Sequence, residues 1–129
     1  MVEERGTLVD SGIQVGAGSD SAQISTLNPW LMLYYMTTGK NSTGVLINAG
    51  QTVTRDEALR LYTAANSWFS KEEDKLGSIE EGKLADLVVL NDDYFTVSAD
   101  ESLTKLSSIL TIVGGKIVHD AGVSRVQDR

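Results

Sequence analysis

The chain has no cysteine, and that excludes disulfides, thiolate nucleophiles and cysteine metal sites; it is compatible with a reducing compartment. Histidine is almost as scarce. The sole histidine, His119, lies near the C-terminal end, so the chain has no His-x-His pair. Eleven Lys and Arg face 18 Asp and Glu, giving a net charge of -7 with no basic run, which repels a phosphate backbone and argues against a nucleic-acid partner. No apolar run approaches the roughly 18 residues of a membrane span. The acidic start Met1-Val2-Glu3-Glu4-Arg5 is unlike a signal peptide, so a soluble, cytoplasmic location is expected. Proline occurs once, at Pro29.

What remains is a chain of 129 residues, 41% hydrophobic, long enough for one packed core. Ile13-Gln14-Val15-Gly16-Ala17-Gly18-Ser19-Asp20 alternates apolar and polar residues as a strand does, then passes two glycines and ends on an acid. In parallel α/β folds the carboxyl ends of strands carry the chemistry, which singles out Asp20. Glu3 to Ser11 reads as a short helix or helix tail stopped by Gly12. A parallel strand over 13–18 would have no upstream neighbour, so the beginning reads as the second half of a βα unit. Asn28-Pro29 combines a helix cap with proline at the first helical position and starts a helix through Trp30 to Met36. That helix is apolar on nearly every face, so it is buried or lies over a site. Trp30 is a core residue by default and a candidate for lining a substrate pocket.

Residues 40–53 read as a loop. Thr54-Arg55-Asp56-Glu57 is a capping box, and Ala58, Leu61, Tyr62 and Ala65 recur behind it at helical spacing. Tyr62 reads as core, and 68–76 as a second short helix or turn. Leu87 to Leu90 is a continuous apolar run that reads as a buried strand, and Leu106 to Val113 as another. Gly114-Gly115 is a two-residue hairpin signal that returns Ile117 and Val118 antiparallel to Ile112 and its neighbours. The tail beyond Asp120 is polar. The acids Glu72, Glu73, Asp74, Asp92 and Asp93 read as solvated turn and helix surface, and His119 as an edge-strand or surface histidine.

Val15-Gly16-Ala17-Gly18-Ser19-Asp20, then Gly77-Ser78-Ile79-Glu80-Glu81-Gly82-Lys83-Leu84-Ala85-Asp86-Leu87-Val88-Val89-Leu90, then Ile112-Val113-Gly114-Gly115-Lys116-Ile117-Val118 together resemble the C-terminal portion of the amidohydrolase superfamily. The Asn28-Pro29-Trp30 helix start and the loop before the capping box are most similar to its third large branch, which includes N-substituted formamide deformylases. The resemblance implies an α/β fold: the C-terminal fragment of a (β/α)8 metal-dependent hydrolase barrel plus antiparallel strands of a small composite β-sandwich. It divides the chain into 1–76, the last βα portion of the barrel domain, and 77–129, sandwich strands.

It further implies that Asp20 is a metal ligand and the catalytic acid-base group of a parent enzyme that hydrolyses a C-N bond of a small, non-peptide amide, using zinc or a similar divalent metal. A barrel of this type takes about 250 residues. The other ligands are therefore expected outside this chain, which by itself should be inactive and hold no metal tightly. Two alternatives stand beside this reading. In one, the chain is a non-catalytic structural or interaction module that forms a homo-oligomer through unpaired strand edges at 13–18 and 87–90. In the other it is a small independent hydrolase pairing Asp20 with Ser19 or Ser21, for which no base partner is evident.

Overall fold

The computed structural model describes residues 7–20, 22 and 25–123. Helix α1 (Thr7–Asp10) is a single turn stopped at Gly12; residues 3–6, also expected to be helical, lie outside the described residues. The side chain of Gln51 fastens α1 to the loop opposite, its Oε1 accepting from the Thr7 amide at 3.2 Å and the Thr7 hydroxyl at 3.1 Å.

Helix α2 (Pro29–Thr38) begins where the Asn-Pro pair places it. The Asn28 side chain accepts from the Trp30 amide at 3.0 Å, and Pro29 occupies a position whose N–H would have no partner. Gly39 ends the helix in the left-handed region at φ 71°. The loop after it is built locally: Asn41 Oδ1 accepts from the amides of Thr43 and Val45, both at 3.0 Å.

Helix α3 (Arg55–Tyr62) opens with the capping box complete, Thr54 Oγ1 accepting from the Glu57 amide and Glu57 Oε2 from the Thr54 amide. The helical spacing that runs on to Ala65 is interrupted at Thr63, where φ is -126° and ψ -91°. Its hydroxyl donates back to the Leu59 carbonyl at 2.7 Å, a local bond that competes with the helical ladder. Helix α4 (Ala64–Ser70) restarts immediately, so Ala65 belongs to a second helix, which begins four residues before the expected position 68.

The core forms where α2 and α3 meet the segments after residue 93: Trp30, Leu33, Tyr34 and Ala58 pack with Tyr94, Val97, Leu103 and Leu106. Arg55 ties these parts together, its two terminal nitrogens donating at 2.5 Å to the carbonyls of Tyr94 and Val97, while the Tyr94 hydroxyl returns a bond to the Arg55 carbonyl at 3.0 Å. Burial pushes the Tyr94 phenol up to about 12, against the opposing charge of Arg55, so it stays protonated and available as a donor. At the periphery, Lys40 donates to Asp100 at 2.6 Å, a bond that holds this carboxyl below the usual carboxylate range.

One antiparallel sheet is present among the described residues, in the order β1 (Leu87–Leu90), β2 (Ser108–Val113), β3 (Lys116–Asp120), so β1 and β3 are its edges. Ile112 pairs with Ile117 and Val113 with Lys116, as the double-glycine hairpin requires. Gly114 and Gly115 take φ of 55° and 78°, the paired positive values of a turn whose twist matches the strands it joins. The turn is held from a distance: Asp86 Oδ1 accepts from the Gly114 amide at 2.6 Å and the Ala85 carbonyl from the Gly115 amide at 3.0 Å. The lysine-leucine-alanine-aspartate stretch and the double glycine are thus one structural unit.

Two strand expectations need correction. Residues 13–18 form no strand, because a strand is completed by a neighbour's ladder and no other strand of the described sheet runs beside them. β1 exists but is not buried: Val88 and Val89 are 47% and 44% exposed, since no second layer covers this sheet among the described residues. The Leu90 end alone reaches the core.

Candidate functional site

Residues 13–20 carry the candidate acid, and helices do for them what a neighbouring strand would. The Ala17 amide donates to the Leu61 carbonyl of α3 at 2.9 Å, and the Ala17 carbonyl accepts from Asn66 Nδ2 of α4 at 2.9 Å. Gly16 is required by this approach, for a Cβ there would collide with Asn66 Oδ1 and lie 2.8 Å from Phe69 Cε2. Beyond the clamp the chain passes Gly18 and reaches Asp20, which is exposed and takes φ 49°, a left-handed conformation that Asp tolerates better than most residues. Among the described residues its carboxylate has no hydrogen-bond partner.

A cleft of about 530 Å³ runs along this segment, walled by Val15, Gly18, Met32, Met36, Val53 and Leu61. Gly18 lines it and Asp20, two residues on, does not. A second cleft of about 610 Å³ lies between α4 and β1, with Asn66, Ser67, Ile79, Leu84, Leu87 and Val88 on its walls. Asp86 and the hydroxyls of Ser67, Ser70 and Ser78 also line the second cleft, where Asp86 Oδ1 is occupied by the Gly114 amide and Ser67 and Ser70 donate to helix carbonyls.

Trp30 is 8% exposed and turned into the core, its ring 6.4 Å from that of Tyr94, the ordinary role for an aromatic on an apolar helix. Tyr62 packs against the same core. Ser19 is half-buried beside Asp20, and Ser21 lies outside the described residues. His119 is on edge strand β3, exposed, with Nε2 3.1 Å from the Ser108 carbonyl. The structure therefore brings no second chemical group to Asp20 among the described residues.

The same holds for a metal. A catalytic zinc takes three protein ligands and leaves one position open. No group of three His, Cys, Asp or Glu side chains among the described residues could hold an ion, so these residues do not fit a complete site. Asn66 and Asp86 are the residues that sequence reasoning missed. Asn66 gives no signal in the sequence, whereas Asp86 stands in a recognisable stretch but acts as a turn clamp through a partner 28 positions away.

The chain matches the profile of a protein family described as the amidohydrolase family over residues 1–119. It is 31% identical over 114 residues to an N-substituted formamide deformylase of Arthrobacter pascens, an alignment that covers 88% of this chain and 21% of that protein. It is 32% identical over 117 residues to the putative amidohydrolase YtcJ of Bacillus subtilis strain 168, covering 88% of this chain and 22% of the relative. The crystal structure of an amidohydrolase from Thermotoga maritima MSB8 superposes with a TM-score of 0.63 at 21% identity, over 88% of this chain and 24% of that one. The chain thus spans about a fifth of the length of the curated relatives it matches.

Proposed function

The chain belongs to the amidohydrolase family, and from that premise we propose that it acts as the C-terminal segment of a longer metal-dependent hydrolase that cleaves the C-N bond of a small, non-peptide amide. In this reading residues 1–76 belong to the barrel side of the enzyme and 77–129 to its small sandwich. The single observation that carries the proposal is the extent of the match: 88% of this chain aligns with only 21–22% of each of two longer proteins, one of them named an N-substituted formamide deformylase.

Asp20 is the residue of this chain assigned to the chemistry. Its carboxylate is exposed and unpartnered among the described residues, on a segment fixed by two backbone-directed bonds, which suits a group that must accept a proton from an attacking water. The divalent cation of such an enzyme would be held mainly by ligands elsewhere in the longer protein, with Asp20 supplying one. The 530 Å³ cleft, which Gly18 reaches and Asp20 does not, has apolar walls suited to packing against further chain.

The proposal is tested by steady-state hydrolysis of an N-alkylformamide, following amine release. The longer polypeptide should turn over with added zinc or manganese, and the chain of 129 residues should show no turnover with either. Metal-dependent turnover by the short chain that is abolished in Asp20→Ala would overturn the assignment of its missing ligands to a longer protein.

A further inference from the structure

The geometry points to Asn66 as a positioning residue for Asp20, acting through the backbone of Ala17. This rests on the reading of Asp20 as the reacting carboxylate and adds to it the device that aims the segment. Both backbone groups of Ala17 are satisfied from the helical side, the amide by Leu61 and the carbonyl by Asn66, each at 2.9 Å. A helix backbone supplies the acceptor without difficulty at its C-terminal end, because the last carbonyls of α3 lack intrahelical partners. The donor is another matter. The Asn66 backbone N–H is already donated to the Thr63 carbonyl at 3.1 Å, and the side-chain Nδ2 of Asn66 supplies the bond to the Ala17 carbonyl.

The fit is close on both sides. Asn66 is part-buried in α4, and its Oδ1 occupies the space that a Cβ on residue 16 would take. Gly16 and Asn66 are therefore a matched pair: the glycine admits the amide, and the amide replaces the ladder that a strand would have supplied. Beyond the clamp only Gly18 and Ser19 separate Ala17 from Asp20, and Gly18 has open space around it. Release of Ala17 would leave Asp20 on a glycine-bearing tether with no other hydrogen bond to hold residues 16–20 among the described residues.

The decisive variant is Asn66→Asp in the longer enzyme. It keeps the size and shape of the side chain and replaces the donor by an acceptor that faces a carbonyl. The clamp then opens while packing stays the same. Expected results are a kcat for N-alkylformamide hydrolysis lower by about 10- to 100-fold with KM within about 2-fold, as misplacement of a reacting group by an ångström produces. Faster hydrogen exchange at the Ala17 amide, by about 10-fold or more, should accompany it. Gly16→Ala attacks the same clamp from the other side and should give the same pattern, and the double variant should be no worse than the more damaging single one.

An unchanged kcat in Asn66→Asp, with the Ala17 amide exchanging faster, would overturn the positioning role. So would a loss confined to KM or to thermal stability. A wild-type rate in Asp20→Asn instead overturns the reading of Asp20 and the positioning role with it, whereas a loss in Asp20→Asn alone removes only the clamp's contribution.

Discussion

Replacing Asp20 by Asn in the longer enzyme should lower kcat by roughly 10³-fold, within the range lost when a general base is removed. Stability should move by no more than about 0.5 kcal/mol, because the residue is exposed and its carboxylate has no partner to lose among the described residues. Asparagine is the informative replacement. Residue 20 sits at φ 49°, and Asn enters the left-handed region as readily as Asp does, so the change removes a charge and a proton acceptor and leaves the backbone unstrained. Alanine would add the cost of that conformation and mix two effects. Turnover measured beside a thermal melt separates them: lost activity with an unchanged melt is expected, and an unchanged rate would remove Asp20 from the mechanism.

The second large effect concerns the core. Leu103 is 0% exposed and belongs to the core cluster that includes Trp30, Leu33 and Tyr34 of α2. Leu103→Ala should cost about 2–5 kcal/mol, the transfer free energy of the lost side chain plus the cavity it leaves. A domain of this size has about 5–15 kcal/mol in hand, so most of the stability is at stake. Urea unfolding should show a clearly lower midpoint at an unchanged slope. A shift below about 1 kcal/mol would mean that the cluster around Leu103 collapses to fill the gap or contributes less than its burial implies.

The elements legible in the sequence are those decided by neighbours in the chain. The Asn28-Pro29 start, the Thr54–Glu57 capping box and the Gly114-Gly115 turn each satisfy backbone groups within a few positions, and each appears where the pattern puts it. Segments whose state depends on distant partners were not legible. Residues 13–18 have the alternation of a strand, yet a strand also needs a ladder, and the partners that Ala17 finds are 44 and 49 positions away in α3 and α4. Leu87 to Leu90 has the composition of a buried strand, but burial is set by what covers the sheet, and nothing among the described residues covers Val88 and Val89.

The candidate site divides in the same way. Asp20 stands out because an acid after a strand-like, glycine-bearing run has few structural uses. Asn66 does not stand out, because a polar residue on a helix is ordinary until its partner is known. Asp86 belongs to the Gly77–Leu90 stretch that resembles the family, and its bond to Gly114 shows what that stretch does physically: it locks the turn that brings β3 back onto β2. Exposed apolar side chains also line the second cleft. Ile79 is 87% exposed, Leu84 54% and Val88 47%, all on the walls of the 610 Å³ cleft.

In the proposed role Asp20 is one carboxylate of a site completed by ligands elsewhere in a longer protein. Titration of the 129-residue chain with zinc in a calorimeter tests it most directly. No stoichiometric binding and no difference between the wild type and Asp20→Ala are expected; tight one-to-one binding that disappears in Asp20→Ala would contradict this role.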